Sequence, residues 1–206
     1  MDSNNSFASL SRLLLKPAPH SKEQGLFSRH VPELNAFVTF RSLDLSLDLD
    51  LIYQWVTKAY TQKFWQLNRS KDVIEKIYRD VLDNPQAHSF IGMIDGKPIC
   101  QIDVYMVMAD ELAAHVESGP TDAGMHLLMC PPREMRKGWS WYAIKLFQQY
   151  YFSVDQSGTL YAEPDQANHP ANQLAINTGF RFLKTIELSY KTANLYCMHR
   201  EDFRPV

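Results

Sequence analysis

The segment from residue 124 to residue 151 constrains the fold more than any other part of the chain. Residues 124–130 are apolar on both faces of a strand except for His126, a pattern typical of a strand buried between two layers. A basic loop follows, and an amphipathic helix then runs from about Lys137 to Tyr151 with apolar residues at helical spacing. A buried strand that leads into a long helix predicts an α/β fold, in which the helix crosses to a neighbouring strand of a mixed sheet.

Shorter elements surround this segment. Asp95-Gly96 lies between two apolar runs, which is the strongest short signal for a β-hairpin. Residues 1–35 are polar, punctuated by proline and without period, so we expect a partly irregular N-terminal arm ahead of a single domain at 36–206. The predicted order is β-α-α-β-β-β-α-β-α-β-β. Patterning places strands at 36–40, 88–94, 99–108, 124–130, 159–162, 180–188 and 194–200, and helices at 49–60, 70–82, 137–151 and 171–177.

Composition excludes several classes of protein. The 206 residues carry 21 Lys+Arg and 23 Asp+Glu, and a formal charge of −2 argues against nucleic-acid binding through bulk charge. No run approaches the roughly 20 apolar residues that a membrane-spanning helix needs. The short leucine run at 13–15 does not resemble the apolar core of a secretory signal. We therefore expect a cytoplasmic protein whose partners include neither nucleic acid nor membrane.

Cysteine and histidine spacing predicts no metal. Cys100, Cys130 and Cys197 are too few and too scattered for a disulfide framework or a four-thiolate zinc site. Reduced, half-buried thiols are the favoured interpretation, although a catalytic thiol is left open. The other histidines show no ligand-like spacing.

The loop before the long helix combines positive charge with a helix start. Arg133, Arg136 and Lys137 immediately precede Gly138, where the helix is expected to begin. A helix N-terminus offers unpaired backbone N–H groups and a partial positive charge, and a glycine allows close approach of a ligand. A solvated basic loop fits the composition equally well. The strand–loop–helix context favours a phosphate-binding site.

His126 is the first candidate for proton transfer. A lone histidine in a core strand is most often a hydrogen-bonded structural group. Its position beside the end of a buried strand, near the expected anion site, favours a general base or acid. Residues 163–165 end the next strand, and a carboxylate there, Asp165, could orient the imidazole. Alternatively, Asp165 opens the turn into the following helix, which Asn168 would cap.

Three other residues are candidates for substrate contact. Trp65 lies near the break between two predicted helices, where an aromatic ring forms a ligand wall or, more commonly, part of the core. Asp103 and Tyr105 share the polar face of their predicted strand. They would meet an amine-bearing substrate or face solvent.

A set of motifs resembles a known family. Arg133-x-x-Arg136-x-Gly138 is similar to the pyrophosphate loop Gln/Arg-x-x-Gly-x-Gly/Ala of GNAT acyltransferases, with Arg136 in place of the first glycine. The Gly-x-His stretch at 124–126 and the Glu-Pro-Asp stretch at 163–165 narrow the resemblance to the acyltransferases of siderophore biosynthesis. This group includes the aerobactin-type hydroxylysine acetyltransferases. Two departures are visible, since that group often has His where Tyr53 stands and Glu where Asp103 stands.

The resemblance implies a fold and a reaction. The fold would be the GNAT fold, a mixed central sheet flanked by helices. The donor would be acyl-CoA, either acetyl-CoA or succinyl-CoA, and the acceptor an N-hydroxylated amine of the N-hydroxylysine, N-hydroxycadaverine or N-hydroxyputrescine type. His126 would take the proton during hydroxamate formation, with Asp165 orienting it. The cofactor contacts would be Arg133, Arg136, Lys137, Gly138, Trp139 and Ser140, and the substrate contacts Trp65, Asp103 and Tyr105.

Two alternatives stay open. One is a GNAT enzyme that acetylates an ordinary amine of a small molecule or a protein. The other is a non-catalytic domain that binds CoA.

Overall fold

The computed structural model describes residues 25–206, and eight strands of that range form one sheet. The spatial order of the strands is β1-β2-β3-β4-β5-β6-β8-β7. Neighbouring strands are antiparallel except for β5 and β6, which are parallel, so the predicted mixed sheet is confirmed. The strands are β1 Phe27–Val31, β2 Ala36–Ser42, β3 Ala87–Ile94, β4 Lys97–Met106, β5 Ala123–Met129, β6 Leu160–Ala162, β7 Arg181–Leu188 and β8 Lys191–Met198.

Helices cover both faces of the sheet. On one face the Phe147 ring of the long helix packs edge-on against Phe40 and Phe90, at 5.4 and 5.5 Å between ring centroids. On the other face Tyr78 reaches the side chain of Gln101 in β4 at 3.4 Å. None of the helices within residues 25–206 is long and apolar enough to cross a bilayer. The helices in that range are α1 Leu45–Val56, α2 Ala59–Trp65, α3 Lys71–Asp83, α4 Trp139–Ser153 and α5 His169–Asn177.

Strand β1 was not predicted. Residues 27–31 fall within the expected irregular arm, yet they pair with β2 in antiparallel register from Phe27–Phe40 to Val31–Ala36. An edge strand buries little of itself, and its polar residues weaken the alternation by which a strand is recognised. Residues 1–24 of that arm lie outside the described part of the chain.

The single helix expected at 49–60 is two helices. The first begins earlier, at Leu45, because the Asp44 side chain caps it by accepting a hydrogen bond from the Ser46 N–H at 2.9 Å. It ends where the Thr61 hydroxyl donates to the carbonyl of Trp55 at 2.8 Å. The second helix therefore changes direction, and its last residue, Trp65, lies against the middle of the sheet.

The turn between β3 and β4 is as predicted. Asp95 and Gly96 have φ angles of 46° and 76°, so both central residues are in the left-handed region that a two-residue hairpin of this type requires. This hairpin sets the pairing of β3 with β4, and β4 in turn pairs with β5. The residues that border the middle of β5 are placed by this register.

Candidate active site

The parallel strands β5 and β6 separate in the middle of the sheet. They pair only at Ala123–Leu160 and Gly124–Tyr161, and no further pairing follows along these two strands. The gap forms a cleft of about 330 Å³. Its walls are largely apolar, and its polar lining includes His126 and Glu163, which face each other. The apolar walls include Met125, Leu127, Ile144, Leu174, Ala175 and Phe180.

His126 lines the cleft and is held by its neighbours. Its Nε2 is hydrogen-bonded to Oε1 of Glu163, whose side chain is 1% exposed against 34% for the histidine. The imidazole lies 5.0 Å from the Tyr105 ring and 6.3 Å from the Trp65 ring, between centroids. His126 is thus held on three sides by defined partners while part of the ring stays open to a substrate.

The ion pair shifts both pKa values in the directions that keep it charged. Desolvation lowers the pKa of His126, but the charge and hydrogen bond of Glu163 outweigh it and hold that pKa above its usual value. Desolvation likewise raises the pKa of Glu163, but His126 and Lys191 bring the net pKa below its usual value. The Lys191 ammonium lies 3.6 Å from Oε1 of the same carboxylate. An ionised carboxylate can only accept hydrogen bonds, so Nε2 of His126 is the donor to Glu163. Nδ1 is then the ring nitrogen that is available for proton transfer.

Glu163, rather than Asp165, orients the histidine. The parallel register sets Ala123 opposite Leu160, an offset of 37 positions, and the same offset brings His126 level with Glu163. By Asp165 the chain has turned: its carboxylate accepts from the Ala167 N–H at 2.7 Å, and its backbone carbonyl from the Asn168 N–H. Asp165 lines the cleft, but its contacts are those of the turn that was the alternative interpretation.

Gly124 gives Tyr105 its place beside the histidine. The two residues are opposite each other in β4 and β5, and a Cβ at position 124 would lie 2.1 Å from Cζ of the tyrosine ring. Only glycine therefore lets the ring lie across β5. Burial and the nearby Glu163 carboxylate raise the pKa of Tyr105 well above its usual value, so its hydroxyl stays protonated. The glycine of the Gly-x-His motif therefore leaves space for the Tyr105 ring beside the histidine.

Asp103 lies next to His126 on the neighbouring strand β4. It is the register partner of His126, on the same face of the sheet. Its Oδ1 accepts hydrogen bonds from the Ser89 hydroxyl and the Gln101 amide, both of which are fully buried. Burial raises the pKa of Asp103, against the lowering effect of the Ser89 hydrogen bond and of His126. Asp103 and Tyr105 do not line the cleft itself, and each lies next to the imidazole instead.

The predicted anion site lies at the N-terminus of α4, where Gly138 is the N-cap residue. Gly138 has a φ of 88° and precedes the first residue of α4, Trp139. The Arg136 guanidinium lies 5.6 Å above the indole ring of that tryptophan, and the Lys97 ammonium lies 5.9 Å from it. Lys97 was missed by sequence reasoning because it belongs to the start of β4, far away along the chain. The tryptophan brings these two cations together at the helix start.

The rest of the loop is exposed and carries further positive charge. Arg133 lies in a short 3-10 turn at Pro132–Glu134, with its side chain 80% exposed. Lys137 is exposed as well, and Ser140 lies in the first turn of α4. Glu134 is the acidic member of this turn, 3.7 Å from the Lys97 ammonium. Positive charge therefore exceeds negative charge where the helix N–H groups are available.

Two cysteines lie in or near this part of the sheet. Cys130 ends the β5 segment, but burial raises its pKa to about 11, and burial raises that of Cys100 to about 12. Both are protonated thiols at neutral pH and are not activated nucleophiles. Within residues 25–206, no cluster of His, Cys, Asp and Glu side chains could hold a metal ion.

These features together define a class of protein. A mixed sheet opens between two parallel strands, and a basic, glycine-started helix follows the first of them. This is the GNAT acyltransferase fold. An uncharacterized protein from Bacillus halodurans shares it with a TM-score of 0.82 and 24% identity, covering 86% of this chain and 91% of that one. Aminoglycoside acetyltransferase AAC(6')-Ib in complex with coenzyme A has a TM-score of 0.73 at 20% identity, covering 81% of this chain and 96% of that one.

The family follows from the sequence match. The model of the acetyltransferase (GNAT) domain family matches residues 44–188, and the chain belongs to that family. It is an acyl-CoA-dependent acyltransferase. The resemblance that the motifs indicated is confirmed.

Several relatives of the chain have related names. N-hydroxyputrescine acetyltransferase of Acinetobacter baumannii is 26% identical over 163 residues, which is 79% of this chain and 78% of that protein. N(6)-hydroxylysine O-acetyltransferase of Escherichia coli is 26% identical over 114 residues, 55% of this chain, and the match spans 36% of that protein. Lysine N-acyltransferase MbtK of Mycobacterium sp. is 19% identical over 171 residues, 82% of this chain and 70% of that one.

Proposed function

We propose that the protein transfers an acyl group from acyl-CoA to the nitrogen of an N-hydroxylated amine, forming a hydroxamate in siderophore biosynthesis. The observation that carries this proposal is the His126–Glu163 pair at the point where the cleft passes through the sheet. Similarity to an enzyme named N-hydroxyputrescine acetyltransferase supports the acceptor class. A hydroxylamine is a weak base that is uncharged near neutral pH. It therefore needs a positioned proton acceptor more than a strong base.

The donor would enter from the α4 side of the cleft. Acyl-CoA supplies an activated thioester. Its pyrophosphate is an anion, and the N-terminus of α4 is suited to bind an anion. The largely apolar walls between β5 and α5 suit the uncharged arm that joins the phosphates to the thioester. The donor contacts would be Arg133, Arg136, Lys137, Gly138, Trp139 and Ser140, together with Lys97, which lies beside Trp139.

His126 would be the general base. Its Nε2 is occupied by Glu163, so the proton goes to Nδ1, which takes no hydrogen bond from the described residues. The hydroxylamine nitrogen forms a bond to the thioester carbonyl carbon, the carbon–sulfur bond breaks, and the nitrogen loses its proton to Nδ1. The CoA sulfur leaves with the electron pair. Glu163 stabilises the imidazolium that results, which is the role of a positioning residue.

The acceptor would lie against the residues that surround the imidazole. Trp65 of α2 meets the ring edge-on, and Tyr105 lies beside it. Asp103 presents a carboxylate one strand away. These three side chains occupy the side of His126 covered by α1 to α3. An acceptor bound there would face the acyl-CoA in the cleft. Its hydroxylamine nitrogen would lie next to His126, the general base.

The test is the replacement His126→Ala, assayed with acetyl-CoA and with succinyl-CoA. A general base contributes roughly 10²–10⁴-fold, so we expect kcat/KM for N-hydroxyputrescine to fall within that range. Two readouts are needed: CoA thiol release, and the coloured ferric complex that a hydroxamate forms and an O-acyl product does not. His30→Ala, in β1 at the far edge of the sheet, is the matched control.

Two results would overturn the proposal. One is turnover of plain putrescine equal to or faster than that of its N-hydroxy form, which would favour an ordinary amine acetyltransferase. The other is an unchanged rate in His126→Ala with correct folding.

A further inference from the structure

Lys191 shares the carboxylate that holds His126. Its ammonium lies 3.6 Å from Oε1 of Glu163, and the same oxygen accepts the hydrogen bond from Nε2 of His126. The Glu163 side chain is 1% exposed and that of Lys191 is 13% exposed, so solvent screens this group of charges little. Two nitrogen groups therefore compete for one oxygen of a buried carboxylate.

Two stretches of backbone hold Lys191 at the cleft. The chain just after β6 runs antiparallel to the start of β8, and the Asn194 N–H donates to the Pro164 carbonyl at 3.0 Å. The turn between β7 and β8 is fixed as well, because the backbone N–H of Ser189 donates to the Glu111 carboxylate at 3.1 Å. Lys191, the first residue of β8, lies between these two contacts along the chain and lines the cleft. Its ammonium therefore has a defined position beside the buried carboxylate.

Groups of both signs surround His126. Helix α2 contributes the uncharged ring of Trp65, and the hydroxyl of Tyr105 stays protonated. The charged and titratable groups near the imidazole are Asp103 and Tyr105 of β4, Asp110 just after β4, Glu163 after β6 and Lys191 of β8. Among these described groups Lys191 is the cation, and it opposes the carboxyl groups.

We propose that Lys191 is a positioning residue of the reaction, which shares Glu163 with His126 and so prevents the carboxylate from fixing a proton on the imidazole. This inference rests on the proposed function, in which His126 accepts a proton from the hydroxylamine nitrogen. A base is efficient when its pKa lies close to the working pH, so that it is unprotonated there. Desolvation lowers the pKa of His126, the neighbouring carboxyl groups raise it above its usual value, and the Lys191 charge offsets part of that rise.

The replacement Lys191→Met removes the charge and keeps a side chain of similar length. We expect the pKa of His126 to rise, because a nearby positive charge that opposed the imidazolium is gone. The rising limb of the pH profile of kcat/KM should move upward by about one pH unit, so kcat/KM on that limb falls about tenfold. A contribution that is merely structural would lower the plateau and leave the limb in place.

The free enzyme offers a readout that needs no substrate. NMR titration of the His126 ring gives its pKa directly, and the signal is assigned by its loss in His126→Ala. We expect Lys191→Arg to retain the wild-type pKa, because the charge is kept. Lys191→Gln should behave like Lys191→Met, because a donor to Glu163 remains while the charge is lost. Lys184→Met, at an exposed lysine of β7 outside the cleft lining, is the matched control.

These variants separate the inference from the proposed function. An unchanged or lowered pKa of His126 in Lys191→Met and Lys191→Gln would overturn the inference and leave the proposed function standing. An equal rise in Lys191→Arg would also overturn it, because the charge would then not be responsible. A raised pKa with an unmoved pH profile of kcat/KM would show that His126 is not the base, which overturns the proposed function instead. If Lys191→Met does not fold, Lys191→Gln carries the test with the same expected rise.

Discussion

The replacement Glu163→Gln separates the role of the buried carboxylate from that of its neighbour Asp165. The glutamine keeps the size of the side chain and a hydrogen bond to His126 but removes the negative charge. Breaking a buried ion pair by removing one partner costs about 3–5 kcal/mol. The His126 side chain is 34% exposed and the hydrogen bond is retained, so solvent reduces the loss, and we expect about 2 kcal/mol. For a chain of this size that corresponds to a melting temperature about 4–8 °C lower.

The pH dependence of this loss has a definite sign. The folded pKa of His126 is raised, so its stabilising contribution is present below the unfolded pKa and is lost as pH rises through the folded pKa. The folded pKa of Glu163 is lowered, so its contribution is present above its unfolded pKa and is lost as pH falls through the folded value. We therefore expect the wild-type and Glu163→Gln melting curves to differ most at mildly acidic pH. Thermal unfolding across pH 4 to 9 is the measurement.

The pH dependence of kcat/KM should also change in Glu163→Gln. A purely structural role of Glu163 would not produce this change. His126 must lose its proton to act as a base, so wild-type kcat/KM should rise with pH through a pKa above the usual histidine value. In Glu163→Gln the desolvation of His126 and the charge of Lys191 remain, and both lower its pKa, so the rising limb moves to lower pH. The plateau value of kcat/KM should fall about 10–100-fold, part of the general-base contribution.

Asp165→Asn is the comparison that decides between the two carboxylates. Its side chain hydrogen-bonds within a turn, so neutralising it should leave the position of the rising limb where it is. The reasoning is refuted if Glu163→Gln keeps the wild-type pH profile, or if Asp165→Asn shifts the limb more than Glu163→Gln does.

Two further predictions concern the support of the site and the donor loop. Gly124→Ala places a methyl group 2.1 Å from Cζ of Tyr105, so it should cost about 1–3 kcal/mol by overpacking and reduce kcat, measured by thermal unfolding and steady-state kinetics. Arg136→Ala removes a guanidinium from the start of α4, so KM for acetyl-CoA should rise about three- to tenfold with kcat little changed. Because that charge is exposed, the difference in KM should shrink as salt is raised.

Each of these has an internal check. The stability cost of Gly124→Ala should be smaller in a Tyr105→Ala background than in the wild type, because the ring that clashes is gone. An equal cost in both backgrounds would contradict the close-approach explanation. For the loop, Arg69→Ala, an exposed arginine outside the cleft lining, is the control, and an equal rise in KM in both variants would contradict a specific phosphate contact.

Much of the candidate site could be predicted from the sequence because its features are local. The Asp95-Gly96 turn and the start of α4 at Gly138 depend on residues a few positions apart, whose backbone preferences hold in any context. His126 was singled out for a similar reason, since an ionisable residue stands out in an apolar strand. The boundary at Leu45 and the strand β1 were missed, because a side-chain cap and an edge pairing leave weak periodic signals.

Sequence alone therefore determined the kinds of elements, the strand–loop–helix unit that suits a phosphate, and the histidine at its edge. Tertiary structure decided the partners. Glu163 rather than Asp165 meets His126 because the register of two parallel strands, 37 residues apart, sets which carboxylate is level with the ring. Lys97 and Asp103 come into place through hairpin pairing for the same reason. Register depends on packing of the whole sheet, and no short stretch of sequence carries that information.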